Sequence, residues 1–207
     1  FTRICSYPVI KNDQTTYVLS NIDREQMTRL LKRVFDPKEF LSEYGMRSLS
    51  KSYKDEPFVF GDRRVCYEPG EAESKIKGGN SNWRGPVWFP TSFLMAESLC
   101  RMGRVLDKDY TVRVKLDDKH DFTEMTLCDL AEELVNRMIR LFLPDDKGRR
   151  PIHGNNKQFQ QDPHWKDLLL FHEYFHGDTG HGLGASHQTG WTALVALMID
   201  EWRQDDS

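Results

Sequence analysis

Leu127, Leu130, Leu134, Met138, Ile139 and Phe142 recur three or four residues apart, from just after Thr126 to just before Pro144. That spacing gives a helix one continuous apolar face, which has to be hidden against other elements. The same rhythm returns in Met27, Leu30, Leu31, Val34 and Phe35 after Asp23, a suitable N-cap. It returns again in Phe93, Leu94 and Leu99, stopping near Gly103, and from Trp191 through Leu194, Val195 and Met198 to Trp202. The segment HWKDLLLFHEYF is expected to be partly helical as well. Strand signal is thin: YTVRVKL, residues 110–116, alternates and reads as one short strand or hairpin arm. The fold class predicted from the pattern is therefore all-α.

Long irregular stretches separate these helices, at residues 53–82, 104–122 and 144–163. Loops of that length in a compact body usually serve a site or pack into something larger. With 207 residues, the chain suits one domain with a sizeable core. Its net charge of −3 and the lack of any basic tract argue against nucleic acid and membrane surfaces as partners. Four cysteines, none in a C-x-x-C, read as buried free thiols in a reducing, cytoplasmic setting. The chain begins at Phe1 without an initiator Met, as expected of an excised piece of something longer.

Chemistry concentrates in a few segments. HEYFHGDTGH, residues 172–181, spells H-E-x-x-H through His172, Glu173 and His176. On a helix the two histidines would share a zinc and Glu173 would polarise its water. The longer zinc pattern wants Gly eighth and His eleventh, whereas Gly180 is ninth and His181 tenth. A zinc metalloprotease therefore stands as the remote alternative, and no metal or cofactor is expected. GGNSNWRGPVWFP, residues 78–90, sets Asn80, Asn82 and Arg84 beside Trp83 and Trp88, and Pro86 could open a helix. A stacking face beside amide and guanidinium donors suits a sugar, which has one CH-rich face and a rim of hydroxyls. An ordinary helix start is the plainer reading. GLGASHQTGW, residues 182–191, places His187 and Gln188 after small residues, at the mouth of an apolar helix capped by Thr189 or Ser186. YEPGEAES, residues 67–74, is acidic and reads mainly as solvated loop.

Together, YGMRSLSKSY (44–53), GGNSNWRGPVWFP, HEYFHGDTGHGLG (172–184) and ASHQTGWTALV (185–195) resemble the C-terminal catalytic half of glycoside hydrolase family 63. The likeness runs from about residue 22 to residue 200 and is strongest to long bacterial and fungal glucosidase-like members. It implies part of an (α/α)6 toroid, incomplete in this chain, and hydrolysis of an α-glycoside with inversion. It implies Glu173 as general base, with Trp83, Trp88 and Gln188 lining the sugar subsite. Tyr44, Arg84, His187 and Trp191 are adjacent motif residues, in or just behind the site. Residues 22–204 are then the C-terminal portion of the catalytic domain, and residues 1–21 form an N-terminal segment with no role assigned.

One departure matters. The family's general acid is an Asp in a W-D-E/S-G-like motif far upstream, and no such motif occurs here. The acid is therefore expected in an upstream remainder of the catalytic domain, with Glu68, Glu71, Glu73 or Asp178 as substitutes within this chain. A non-catalytic carbohydrate-binding remnant is the alternative reading.

Overall fold

The computed structural model describes residues 4–11, 14–72, 82–106 and 110–203. Asn80 and Glu73, singled out from the sequence, lie outside these described residues.

The chain opens with a hairpin, β1 (Cys5–Lys11) and β2 (Gln14–Ser20), paired from Cys5↔Ser20 to Lys11↔Gln14. Helix α1 (Arg24–Val34) follows. Its N-cap Asp23 accepts from the Gln26 N–H while the Gln26 side chain accepts from the Asp23 N–H, a reciprocal capping box. Two minimal strands, β3 (Leu41–Ser42) and β4 (Gly45–Met46), turn around Tyr44. A 3-10 turn at Lys51–Lys54 leads to an exposed hairpin, β5 (Phe58–Phe60) and β6 (Arg63–Val65). Helix α2 (Phe89–Val105) begins three residues after Pro86; the proline inside its first turn is Pro90, where no N–H is needed. Strands β7 (Thr111–Val114) and β8 (Thr123–Thr126) form the next hairpin, with Val112 and Val114 buried and their neighbours outside.

Helix α3 (Leu127–Arg140) starts at the expected Thr126, whose hydroxyl accepts from the Asp129 N–H while the Asp129 carboxylate accepts from the Thr126 N–H. Its apolar face (Leu130, Leu134, Met138 and neighbours) is fully buried against α2 and the last helix. Burying such a side chain is worth about 1.5–3 kcal/mol each, which makes α3 the centre of the core. After a 3-10 turn (Pro151–His153) and short α4 (Lys157–Gln161) come β9 (Tyr174–Phe175) and β10 (Gly182–Leu183). Helix α5 (Thr189–Thr192) and α6 (Leu194–Arg203) close the chain, divided at Ala193.

The all-α expectation is corrected. The structure is 37% helix and 18% strand, with five two-stranded antiparallel sheets among the described residues. Each sheet pairs neighbouring strands of only two to seven residues, too short for periodicity to register. The alternating YTVRVKL did become a hairpin arm, β7. HWKDLLLFHEYF is not helical: it runs through turns into extended chain and β9. None of the four cysteines is buried; all are free thiols, and Cys128 is exposed. Among the described residues, no helix is long and apolar enough to cross a membrane.

Candidate functional site

Two buried arginines fix the loops around the site. Arg137 of α3 donates to Glu133, to the Ser42 carbonyl and to the Leu116 carbonyl. Arg47 donates to the Pro37 and Leu41 carbonyls, to the Tyr67 hydroxyl at 3.0 Å and to the Asp178 carboxylate at 3.1 Å. Tyr67 also donates to Asp178, and Lys51 stands 3.5 Å from it. Burial would raise the Asp178 carboxyl, but Tyr67, Arg47 and Lys51 outweigh it and hold the group below its ordinary value. Asp178 is thus an anchored anion, ill suited to donate a proton. Glu68 is engaged too, paired at 2.8 Å with Arg84. The amide of buried Asn82 donates to the Glu68 and Gly70 carbonyls and pins the acidic loop in place.

Glu173 is held from three directions. Its N–H donates to the Ala185 carbonyl, its carbonyl accepts from Trp191 Nε1 at 3.0 Å, and its Oε2 accepts from the Ala185 N–H at 3.1 Å. The neighbouring backbone is tied down likewise, with the Phe171 carbonyl bonded by the Gln188 N–H and the His172 carbonyl by the Thr192 hydroxyl. The wrap requires glycine at 184, where φ is +68° and an added Cβ would stand 2.6 Å from Glu173 Oε2. A run of small residues therefore lets the backbone close over a carboxylate and aim it.

Behind Glu173 stands a ring stack. Trp83 lies on Trp88 at 3.9 Å, Trp88 on Tyr174 at 4.7 Å, and Trp191 meets Trp88 edge-on at 6.1 Å. Trp88 is 1% exposed, with Nε1 bonded to the Asn82 carbonyl, so in this chain it is an inner layer and Trp83, 47% exposed, is the outer one. The Tyr174 hydroxyl is pushed up to about 12, by burial first and then by the charges of Glu71 and Glu173. A neutral phenol thus stands in the field of two carboxylates, one from the acidic loop and one from the strand.

Of the residues singled out from sequence, Glu173, Trp83, Trp88, Trp191 and the Gln188 backbone converge here. Arg84 sits one step away, on Glu68. His187 is exposed beside Phe171, at 6.4 Å between rings. Tyr44 faces elsewhere, against Gly180, on a cleft with Arg140. Tyr174, Gly184 and the Ala185 N–H escaped sequence reading; the only signal was the small-residue run GLGA itself.

A zinc site finds no support. His172 and His176 flank β9 instead of sharing a helical face, and four residues of extended chain reach up to roughly 13 Å. The His172 ring lies over the bare α-carbon of Gly182, and His176 Nδ1 accepts from the Asp178 N–H. Among the described residues no group of three or more His, Cys, Asp or Glu is placed to hold a metal.

Residues 14–192 match the mannosylglycerate hydrolase MGH1-like glycoside hydrolase domain. This chain belongs to that glycoside hydrolase family. The match agrees with the family 63 resemblance, as do weaker likenesses to mannosyl-oligosaccharide glucosidases. The probable mannosyl-oligosaccharide glucosidase of Schizosaccharomyces pombe is 25% identical over 86% of this chain and 16% of its own length. The mannosyl-oligosaccharide glucosidase of Saccharomyces cerevisiae is 25% identical over 84% of this chain and 15% of its own. An uncharacterized protein of Saccharomyces cerevisiae is 48% identical over 190 residues, 89% of this chain and 17% of that protein. The chain therefore spans about a sixth of the curated relatives it matches.

Proposed function

We propose that this chain carries the general-base side of an inverting α-glycosidase acting on an α-glucoside, with Glu173 as the base. The observation that carries the reading is the three-sided clamp on Glu173, closed by the glycine that makes room for its carboxylate. A general base has to be held within about 3 Å of the water it activates, and a carboxylate fixed through its own backbone and through Oε2 is held steadily enough for that role. The glucosidase names of two relatives support the substrate class.

Inversion needs a second carboxylic acid roughly 6.5–9.5 Å from the base, so that water fits between them. We assign it to a part of the longer protein outside residues 22–204, which we take as the C-terminal portion of the catalytic domain. Trp83, Trp88, Gln188 and Trp191 form the sugar-facing wall and its backing, with Arg84 and His187 farther out; Tyr44 belongs instead to the cleft beside Arg140.

A second reading keeps the acid within this chain. Its support is the shared field of Glu71 and Glu173 at Tyr174. In the full-length protein, Glu71→Gln separates the two: unchanged turnover favours an acid elsewhere, and a loss on the order of a hundredfold favours Glu71. The test of the reaction itself is the anomer first released from an α-glucoside, followed by proton NMR. Inversion predicts β-glucose; α-glucose contradicts the mechanism, and binding without turnover points to a carbohydrate-binding remnant.

A further inference from the structure

The tip of the β9–β10 hairpin opens onto a cleft of about 600 Å³, within the range of small-molecule sites and not shared with Glu173. Three arginines line it (Arg140, Arg149 and Arg150) against a single carboxylate, Asp145. Asp145 is already engaged by Arg149 through Nε and a terminal nitrogen, at 3.1 and 2.9 Å. Arg150 spends one nitrogen on the Phe142 carbonyl. The side chain of Arg140, exposed at the C-terminal end of α3, makes no hydrogen bond or ion pair with any described residue. The lining of the cleft is therefore net positive, with the Glu43 carboxylate near Tyr44 a further acid that acts on it.

Its other walls are polar and built. Gln160 accepts from the Arg150 N–H and donates to the Arg150 and Gly154 carbonyls, locking α4 to the turn that carries Arg150. Tyr44 packs against Gly180, where a positive φ and a 3.0 Å approach would strain any side chain. Burial, then the nearby Glu43 carboxylate, push the Tyr44 hydroxyl up, and Arg140 lies near enough to oppose that rise. The side chains of Tyr44, Asn155 and Thr179 make no hydrogen bond among the described residues, so their donors and acceptors are available to a ligand.

We propose that this cleft is a second binding site, selective for a small anionic sugar: the anion sits on Arg140 and Arg150, and the sugar hydroxyls sit on Tyr44, Asn155 and Thr179. Guanidinium groups favour carboxylate and phosphate through paired, charge-assisted hydrogen bonds. Hydroxyl and amide groups around them match a polyol, and the Tyr44 ring offers a face for its CH groups. Either a sugar acid or a sugar phosphate satisfies this chemistry. Thr179 and His181 lie in the turn that joins β9 to β10, so a bound ligand would also brace the hairpin whose far end carries Glu173.

The test is calorimetric titration of the full-length protein with glucuronate and glucose 6-phosphate, one probe for each anion source. Glucose and inorganic phosphate serve as the comparisons. At least one anionic sugar should bind, with glucose and phosphate each tenfold weaker or more. Arg140→Ala and Tyr44→Phe should weaken that binding, Arg140→Ala by tenfold or more, without shifting the melting temperature by more than a degree or two. Trp83→Ala, which removes the exposed ring of the proposed sugar wall, should leave it unchanged, which separates this cleft from the proposed active site; loss of binding in that variant would overturn the second site. Lack of heat from both anionic sugars at millimolar concentration, equal affinity for glucose, or an unaffected Arg140→Ala would also overturn it. Phosphate alone binding as tightly as the sugars would show an inorganic anion site and refute the carbohydrate class.

Discussion

Gly184 is the residue on which the position of Glu173 turns. Alanine there would meet Glu173 Oε2 at 2.6 Å and Tyr174 Cε1 at 2.7 Å, in a backbone conformation that side chains resist. Gly184→Ala should lower kcat by about a hundredfold through a displacement on the order of 1 Å. It should cost only about 1–2 kcal/mol in stability; steady-state rates beside melting curves check both. His172 makes a different prediction. Burial, then His181, His153 and His187, push it down to about 4. Its folded pKa thus lies below the unfolded value near 6.5, so the unfolded chain takes up the proton first. Stability should fall as pH drops from about 6.5 towards 4, by at most about 1.4 kcal/mol per pH unit from this group. Urea midpoints for His172→Phe should be flatter than wild type across that window. The candidate residues of this site were legible in sequence because their motifs are distinctive. The clamp was not, since it depends on backbone groups of Gly184 and Ala185 that carry no side-chain signature.

Helices α1 and α3 were readable down to their first residues, because an apolar stripe and a reciprocal cap both leave marks in sequence. Thr126→Ala removes one of those marks and should cost about 1 kcal/mol, measurable by denaturant unfolding. The strands were not readable. β3, β4, β9 and β10 are two residues each, and β5 presents Phe58, Val59 and Phe60 to solvent, so neither alternation nor burial betrays them. HWKDLLLFHEYF misled for a related reason. Three consecutive leucines suit a helix, but Leu168 and Leu169 are exposed, and Phe171 through Phe175 are drawn into extended chain by bonds to Val87, Ala185, Gln188 and Thr192. Tertiary pairing overrode local preference there, and it is that extended backbone which presents Glu173.

At the scale of the molecule, a mixed core built on α3 supports both a clamped carboxylate and a separate basic cleft. Leu30, Trp83 and Leu94 are left substantially exposed, at 46%, 47% and 63%. Trp83 and Leu30 share an apolar groove of about 390 Å³ with Val34, Met46 and Met95. Apolar surface of that kind, on a chain spanning about a sixth of its relatives, marks a face suited to further packing. The central claim is that Glu173 activates the attacking water. The measurement that tests it most directly is the turnover of an α-glucoside by full-length Glu173→Gln, with binding of the same glucoside measured in parallel. kcat should fall by about a hundredfold to ten-thousandfold, with binding within a few-fold of wild type. A variant that kept most of its turnover would contradict it.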